Sequence, residues 1–473
     1  MASSWRCGGR FRYSDRPDDR TAGPTFASPS HPPPMSDHHR IRDPALGRRE
    51  SLAQRLADLP SPRRSAAGSD ADATPEGQHR PLPAGHSATA QQNRLRALTA
   101  STGTDLSALA RPTVPDDPSV LRGNIEQYVG MTQVPTGVIG PLQIDGTAAR
   151  GSFYVPLATT EGALVASYNR GAKATRLAGG ITAATLSESV QRAPTFRFAD
   201  LGEVGRFLQH LLDERHRFDA IVAGVSRHAS LLDVRFEIEG NHVTLVCEYS
   251  TGEAAGQNMV TVCTQALCAH LLAGTPVTPT HFFVEGNSSG DKKSRPGSYS
   301  RPRGKKVTAE CHLPQDVLRD VLQVEPERLL QYWRTAVMGA IQSGTSGMTG
   351  HAANALAAIF LACGQDVACV AEGYVGATRV EPSADGAGVY AAVTLPNLVV
   401  GTVGGGTRLP TQAACLELLG CTGPGSARRL AEVCAATVLC GELSIASALA
   451  AGHFTRAHAS LGRRPAVGGG AAR

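Results

Sequence analysis

One segment, from residue 190 to residue 284, constrains the fold more than any other feature of this 473-residue chain. Its apolar residues alternate with polar ones over short runs and recur at helical spacing in the runs between. The predicted strands and helices are, in order, Thr195–Phe198 (strand), Leu201–Phe218 (helix), Leu231–Ile238 (strand), His242–Tyr249 (strand), Ala254–Leu272 (helix) and Val277–Val284 (strand). A β-α-β-β-α-β order of this length predicts a small ferredoxin-like domain.

The flanking sequence predicts that this small domain, residues 190–285, is inserted between two halves of a larger one. Short helices and then strands are predicted within residues 93–189, and both helices and strands within residues 286–463. The Ala-rich run Ala427–Gly462 is apolar on nearly all faces, which indicates a buried helix. The predicted fold class is therefore α+β, with a large mixed helical and sheet domain around the insertion.

The two ends of the chain are predicted to lie outside the folded core. Residues 1–92 contain 12 of the 30 prolines and have no sustained periodicity, so they cannot bury enough apolar surface to order themselves. Residues 464–473 include a run of three glycines and are predicted to form a flexible tail.

Composition excludes several classes of function. The net charge of +5 is mild and not gathered in one block, so it does not argue for a nucleic-acid partner, and an anionic small substrate or cofactor would suit it as well. We predict no nucleic-acid partner. The 11 cysteines show no CxxC pair and no zinc-like Cys/His spacing, so we predict no metal site. Neither a signal peptide nor an apolar run long enough to cross a bilayer is recognisable, so we predict a cytoplasmic protein without a membrane partner.

A single acidic residue, Glu161, follows the small-residue turn Ala158–Thr160 and precedes a predicted helix. Thr159 or Thr160 is predicted to cap that helix, which would place acidic charge in its first turn. A carboxylate among Ala, Gly, Leu and Val would be poorly solvated, with the raised pKa that a proton donor near neutrality needs. In isolation, however, the pattern is more often a solvated capping residue.

Three further features accompany Glu161, each with an ordinary structural explanation of its own. Gly290–Lys293 places two adjacent lysines directly after the small domain, where a solvated loop is the simpler interpretation. Asp366 ends an otherwise apolar helix, a position that disfavours a carboxylate unless a cation pairs with it. His453 and His458 lie near the end of the chain, where a histidine is usually a surface residue.

Taken together, these features resemble the catalytic part of the 3-hydroxy-3-methylglutaryl-coenzyme A (HMG-CoA) reductase family, in its eukaryote-like class. The similarity extends from Gly123 to Arg463. It rests on seven motifs in the family's order, namely Val134–Leu142, Ala158–Ser167, Asp291–Lys293, His351–Asn354, Gly364–Asp366, Gly401–Thr407 and Gly441–His453.

The resemblance implies a reaction and four catalytic residues. The family reduces the thioester of HMG-CoA to mevalonate in two hydride transfers from NADPH, with release of coenzyme A. Lys292 would stabilise the oxyanion and Glu161 would give it a proton. Asp366 would hold both in one hydrogen-bonded network, and His458 would protonate the departing thiolate.

Binding residues are implied in the same way. Ser167, Asn169 and Arg170 match coenzyme A contacts. Arg197, Lys293, Arg334, His351 and Asn354 match positions that line the acyl group. Glu253, Gly256, Asn258 and Met259, together with Gly404, Gly405 and Gly406, match the dinucleotide site, since glycines before a helix expose N–H groups to phosphate. Arg217 aligns with a basic position near the ribose 2′-phosphate.

The acyl pocket departs from the family pattern at Glu285, which replaces a serine expected beside the acyl carboxylate. Two facing carboxylates cost affinity unless a cation lies between them, and Arg334, in place of a lysine, is one such cation. Two alternatives therefore stay open: a reductase of a related acyl-coenzyme A, and a non-catalytic homologue that binds coenzyme A or NADPH. Because family members share active sites between subunits, a homodimer or a dimer of dimers is expected.

Overall fold

The computed structural model describes residues 44–60, 80–111, 117–384 and 386–452, with side chains from residue 51 onwards. The division into compact units falls between Gly47 and Arg48, and every element after the first helix belongs to the C-terminal unit. The predicted α+β class is confirmed, because helices pack on a mixed ten-stranded sheet.

The described residues form ten strands and thirteen helices. The strands are β1 (Thr136–Gly146), β2 (Arg150–Ala158), β3 (Ile181–Arg192), β4 (Thr195–Arg197), β5 (Ser230–Glu239), β6 (His242–Ser250), β7 (His281–Phe283), β8 (Gly304–Pro314), β9 (Ala377–Pro382) and β10 (Gly388–Leu398). The helices are α1 (Pro44–Ala57), α2 (Ala88–Thr102), α3 (Ser107–Ala110), α4 (Leu164–Leu177), α5 (Leu201–Glu214), α6 (Phe218–Val225), α7 (Gln257–Gly274), α8 (Gln315–Val317), α9 (Pro326–Ser343), α10 (Ala352–Ala362), α11 (Val370–Gly373), α12 (Pro410–Leu418) and α13 (Ser426–Ala450).

Strands β4 to β7 form the sheet that the sequence pattern predicts. They lie in the order β5-β6-β4-β7, and every neighbouring pair is antiparallel, which is the arrangement of a ferredoxin-like β-α-β-β-α-β unit. Helices α5, α6 and α7 cover this sheet, and a separate core of Phe196, Phe207, Tyr249 and Leu267 fills the space between. The predicted insertion therefore has its own strand order and its own core.

The bounds of individual elements differ from the prediction for local reasons. The helix predicted over residues 201–218 is broken by a 3-10 turn, Arg215–Arg217, into α5 and α6. The strand predicted over residues 277–284 shrinks to β7 because Pro279 has no N–H to donate to a ladder. Near the N-terminus, α2 begins at Ala88, before the residue 93 at which order was expected to start.

Strand β3 connects the two parts of the sheet. Its first three residues, Ile181–Ala183, pair in parallel with β1, and Thr182–Ser189 pair antiparallel with β8, in a larger sheet of order β2-β1-β3-β8-β10-β9. Its last residues, Val190–Arg192, pair instead with β6 of the small sheet. One continuous strand thus fixes the small sheet relative to the large one and delivers Arg192 to the junction.

Helix α13 is the centre of the larger core. It packs on β3, β8 and β10 and also on α4, α9 and α10. Among the described helices it alone has the length and apolarity of a membrane span, but 83% of its most apolar stretch is buried inside the protein, as predicted for the Ala-rich run. Small residues permit its close contact with α4, since a Cβ on Gly171 would lie 2.0 Å from the carbonyl oxygen of Cys440.

Candidate functional site

Glu161 lies in the loop between β2 and α4, and its surroundings differ from the prediction. The Thr159 hydroxyl accepts a hydrogen bond from the Glu161 N–H at 3.0 Å, so it closes a local turn and does not cap the helix. Helix α4 begins only at Leu164, after Ala163 in the left-handed region at φ 67°, and has no acid in its first turn. The Glu161 side chain is exposed, so the predicted poor solvation is wrong for the single chain.

Asn354 orients the Glu161 carboxylate. It lies in the first turn of α10 and donates from Nδ2 to Glu161 Oε2 at 2.7 Å. The start of this helix is held in turn by the buried carboxylate of Glu442 on α13, which accepts the N–H groups of Gly350 at 2.6 Å and His351 at 2.9 Å. The predicted residues Glu161, His351 and Asn354 therefore lie together, at the N-terminal end of α10.

The three predicted coenzyme A residues follow Glu161 on α4. Ser167 Oγ lies 2.9 Å from Ser444 Oγ, and Asn169 Oδ1 accepts the Gly140 N–H at 3.0 Å. Arg170 donates from Nη2 to the Ser444 carbonyl oxygen at 2.6 Å, and burial lowers the pKa of its guanidinium. The Ser167 and Arg170 contacts join α4 to α13, and the Asn169 contact joins it to β1.

Lys292 and Asp366 form the second predicted group. Lys292 Nζ lies 2.8 Å from Asp366 Oδ2, and this hydrogen bond raises the pKa of the lysine. The Asp366 Oδ1 atom accepts the N–H of Ala368, which fixes the carboxylate at the end of the α10 loop. Lys292 itself has a left-handed φ of 55°, and its N–H donates to Glu372 Oε1 at 3.1 Å.

A buried cluster of charged residues (Arg192, Asp291, Arg303 and Glu372) packs against the loop that carries Lys292. Arg303, fully buried, contacts Glu372 at 2.6 Å and Asp291 at 3.0 Å. Asp291 also pairs with Arg192 at 3.1 Å. Burial raises the pKa of the Glu372 carboxyl, which Arg303 and the Lys292 N–H partly oppose. The cluster was not predicted, since Arg303 lies in a polar loop that looked solvent-exposed in sequence.

Glu285 is paired with a cation, but not with the one predicted. Arg192 Nη1 lies 3.4 Å from Glu285 Oε2, which also accepts the Ala193 N–H at 3.2 Å. Arg334 is exposed on α9 and makes no described contact with this carboxylate. Arg192 was not predicted. Its position at the end of β3, the strand that leads into the small domain, is the sequence feature that could have indicated it.

The remaining basic residues of the predicted site are dispersed. Lys293 donates to the Asp291 carbonyl oxygen at 2.8 Å and stays beside Lys292. Arg197 lies further along the small sheet, on β4 between His242 and His281, and no described contact joins it to Lys292. Arg217 is exposed and pairs with Glu214 at 3.3 Å.

The two glycine-rich segments of the predicted dinucleotide site lie against each other. Ala254 forms a bridge with Val403, and the Thr402 N–H donates to the Glu253 carbonyl oxygen at 2.8 Å. A Cβ on Gly401 would lie 2.2 Å from the Ala255 nitrogen, so only glycine permits this approach.

The first segment leads into α7. Gly256 precedes the helix at φ 82°, Asn258 is exposed in its first turn and Met259 packs against the small core. Gly404 and Gly405 also have positive φ, and a Cβ on either would meet no atom within 4 Å, so they face open space. Gly406 instead lies against the loop that carries Asp366, because a Cβ on Gly364 would lie 2.3 Å from its carbonyl oxygen.

Glu253 has a structural partner that its predicted cofactor role did not anticipate. Its Oε1 accepts the Gly425 N–H at 2.6 Å and its Oε2 accepts the Ala427 N–H at 2.7 Å. Both oxygens therefore cap the N-terminus of α13, where a carboxylate is favoured by the free N–H groups and the helix dipole. Glutamate, which is one methylene longer than the aspartate usual in the family motif, is long enough to make both contacts.

The Glu161–Asn354 pair and the Lys292–Asp366 pair lie at opposite ends of α10. Asn354 lies in the first turn of the helix and Asp366 lies four residues beyond its last residue, Ala362. At 1.5 Å per residue the helix alone separates them by about 12 Å. Within one chain, the described contacts do not include the predicted direct network of Glu161, Lys292 and Asp366, and His458 lies outside the described residues.

Comparisons with known proteins agree on one family. The model of hydroxymethylglutaryl-coenzyme A reductase matches residues 90–463. The 3-hydroxy-3-methylglutaryl-coenzyme A reductase of Aeropyrum pernix is 44% identical over 76% of this chain and 87% of its own length. That of Pyrococcus abyssi is 40% identical over 79% and 93%.

Solved structures share the fold. The class II reductase of Streptococcus pneumoniae, in a structure bound to NADPH in open conformations, has a TM-score of 0.60 at 19% identity and covers 76% of this chain and 96% of its own. With seven motifs, the paired lysine and aspartate and the two apposed glycine segments in place, the chain belongs to the hydroxymethylglutaryl-coenzyme A reductase family.

Proposed function

We propose that this protein reduces 3-hydroxy-3-methylglutaryl-coenzyme A to mevalonate and coenzyme A, with NADPH as the electron donor. The observation that carries the proposal is the 2.8 Å pair of Lys292 and Asp366, in a loop packed against the apposed glycine segments. Reduction of a thioester carbonyl is favoured by a cation that stabilises the charge developing on the oxygen, placed next to the binding site of the dinucleotide.

The dinucleotide site fits NADPH by its shape. Gly404 and Gly405 turn an open backbone surface outward, and α7 presents its free N–H groups beside Asn258. NADPH, when bound, supplies the hydride. Because Gln257 Nε2 lies 2.8 Å from Cys369 Sγ, in the turn that begins at Asp366, the start of α7 is held close to the lysine.

Lys292 is proposed to bind the carbonyl oxygen on which negative charge develops. Its hydrogen bond with Asp366 raises its pKa, so the ammonium keeps its proton throughout the neutral range. Asp366 thus orients a permanent cation, and Asp291 and Glu372 fix the loop behind it. The lysine stabilises charge and does not need to give up a proton.

Glu161 is proposed to supply that proton. Asn354 donates to one of its carboxylate oxygens, which fixes the plane of the group and leaves the other oxygen free to carry a proton. For the thiolate of coenzyme A, the proton is proposed to come from His458, on the ground of its motif in the sequence.

We propose a homodimer with shared sites because the Glu161 group and the Lys292 group are far apart within one chain. The Glu161 group and the Lys292 group are separated along α10, so two chains that exchange these ends would bring Glu161 of one subunit to Lys292 of the other. An exposed apolar surface suited to such contact is present at Ile125, Val129 and Met131, just before β1.

We also propose a cytoplasmic location. All ten cysteines of the described residues are free and buried, which suits a reducing compartment.

The activity is tested by following NADPH absorbance with HMG-CoA as the substrate. We expect two NADPH to be consumed per thioester, and Glu161→Gln to lower the rate by roughly 100-fold or more. Glu239→Gln, at the exposed tip of the β5–β6 hairpin, is the matched control and should keep full activity. Binding of NADPH without turnover of HMG-CoA would instead favour another acyl-coenzyme A, since the Glu285 carboxylate would oppose the carboxylate of HMG-CoA.

A further inference from the structure

We infer that the Tyr168 hydroxyl holds the His351 imidazole in the tautomer protonated on Nδ1, so that Nε2 accepts a hydrogen bond from the hydroxyl group of the bound acyl chain. This deepens the proposed function, on which its ligand half rests. Tyr168 acts here as a positioning residue, through His351, and does not itself touch the reacting atoms.

Two contacts of a single hydroxyl carry the inference. Tyr168 Oη lies 2.9 Å from His351 Nδ1 and 3.0 Å from the His351 carbonyl oxygen. A carbonyl oxygen only accepts, whereas a neutral imidazole nitrogen either donates or accepts according to the tautomer. The hydroxyl has one proton to give.

Counting protons leaves one arrangement in which both contacts are hydrogen bonds. If the hydroxyl gives its proton to the carbonyl oxygen, Nδ1 must carry a hydrogen and donate it to Oη. If the hydroxyl gives its proton to Nδ1, two oxygens face each other at 3.0 Å with no hydrogen between them. That alternative is repulsive in a buried site of low dielectric.

The frame around the pair is rigid enough to enforce this choice. Tyr168 is 1% exposed, and its ring lies so close to Gly441 that a Cβ there would come within 2.2 Å. Burial raises the pKa of Tyr168 well above its ordinary value, so the hydroxyl keeps its proton. The His351 N–H is fixed by Glu442.

The ring nitrogen left over is Nε2. Among the described residues, none donates a hydrogen bond to Nε2 or accepts one from it. Nε2 is also not one of the described side-chain atoms that are fully buried without a partner. Burial also lowers the pKa of His351, so the ring is neutral near pH 7 and Nε2 presents a lone pair. His351 is the N-cap residue of α10, and Asn354 in the first turn of the same helix contacts Glu161. His351 therefore lies near the proposed proton donor. A ligand group facing it must be a donor, and a tertiary alcohol is one.

The tautomer is measured directly by long-range nitrogen-proton correlation spectra of the full chain labelled with nitrogen-15. The His351 signals are identified by their absence in His351→Gln. We expect an unprotonated Nε2 in the wild type, and in Tyr168→Phe a shift toward the protonated Nε2 that free histidine prefers. A protonated Nε2 in the wild-type spectrum overturns the inference, even if Tyr168→Phe fails to fold.

The ligand half is measured by binding of HMG-CoA and of the analogue in which hydrogen replaces the 3-hydroxyl. The wild type should prefer the hydroxyl compound by roughly tenfold, and Tyr168→Phe should lose most of that preference. Tyr249→Phe is the control, because it removes a buried hydroxyl that meets Thr264 at 2.8 Å and no histidine. It should keep the wild-type preference.

The results separate the two proposals. An equal preference in wild type and Tyr168→Phe overturns the role of Nε2 while turnover still supports the reductase. If neither compound binds, the reductase proposal and the ligand half fail together, and the spectra alone still decide the tautomer.

Discussion

Complementation between two inactive variants tests whether Glu161 and Lys292 act across a subunit interface. The perturbation is to combine Glu161→Gln with Lys292→Ala in one dimer, each chain carrying a different affinity tag. Each pure variant should be inactive. The mixed dimer, isolated by both tags, is then assayed for NADPH consumption with HMG-CoA.

The expected magnitude follows from the position of the two groups. Glu161 is bound at the first turn of α10 and Lys292 beyond its end, about 12 Å away along the axis. The groups that raise the pKa of Lys292 most are on its own side of this gap, with Asp366 first. If sites are shared, one of the two sites in a mixed dimer combines two intact residues, so activity should be about half that of the wild type.

The refuting result is equally definite. If each site is built within one chain, both sites of a mixed dimer carry one lesion, and the purified mixed dimer should be as inactive as its parents. A dimer of Glu161→Gln with a wild-type chain is the matched control and should keep about half the activity under either arrangement. Sedimentation velocity of the wild type gives the oligomeric state independently.

Three other perturbations have definite outcomes. Gly171→Ala should destabilise the fold by about 1–3 kcal/mol through overpacking, whereas Gly205→Ala, on an open helix face, should stabilise it by about 0.5–1 kcal/mol; equal urea midpoints for both would contradict the close helix contact. Burial raises the pKa of Glu442, so its stabilising effect is full below the ordinary value of 4.5 and is lost as pH rises through the folded-state pKa. The melting temperature of the wild type relative to Glu442→Gln should accordingly fall as pH rises from about 4 to about 7, and a constant difference would refute this. Finally, Glu285→Ser should remove the negative charge expected beside the acyl carboxylate and lower the KM for the acyl substrate roughly fivefold at unchanged kcat, about 1 kcal/mol; a KM that stays the same or rises would show that Glu285 does not weaken substrate binding.

The sequence by itself determined the local elements and the family. The alternation of polar and apolar residues predicted the strand and helix order of the ferredoxin-like unit, because burial of one face imposes that periodicity on the chain. The predicted Lys292 and Asp366 are paired in space, although Asp366 lies beyond the end of α10 and caps the 3-10 turn Val367–Cys369, so the predicted helix-end position was wrong.

Only the tertiary structure decided which side chains meet across long distances in the chain. Arg192 reaches Glu285 because β3 passes from one sheet to the other, a path that no local pattern encodes. Glu253 caps α13 and Glu442 holds the start of α10, both through contacts between residues far apart in sequence. Glu161 is exposed because it lies in the loop before α4, which begins only at Leu164. Helix propensity alone had predicted that Glu161 lies in the first turn of this helix. Periodicity reports which face of an element is buried, but the partner on that face depends on how all the elements pack together.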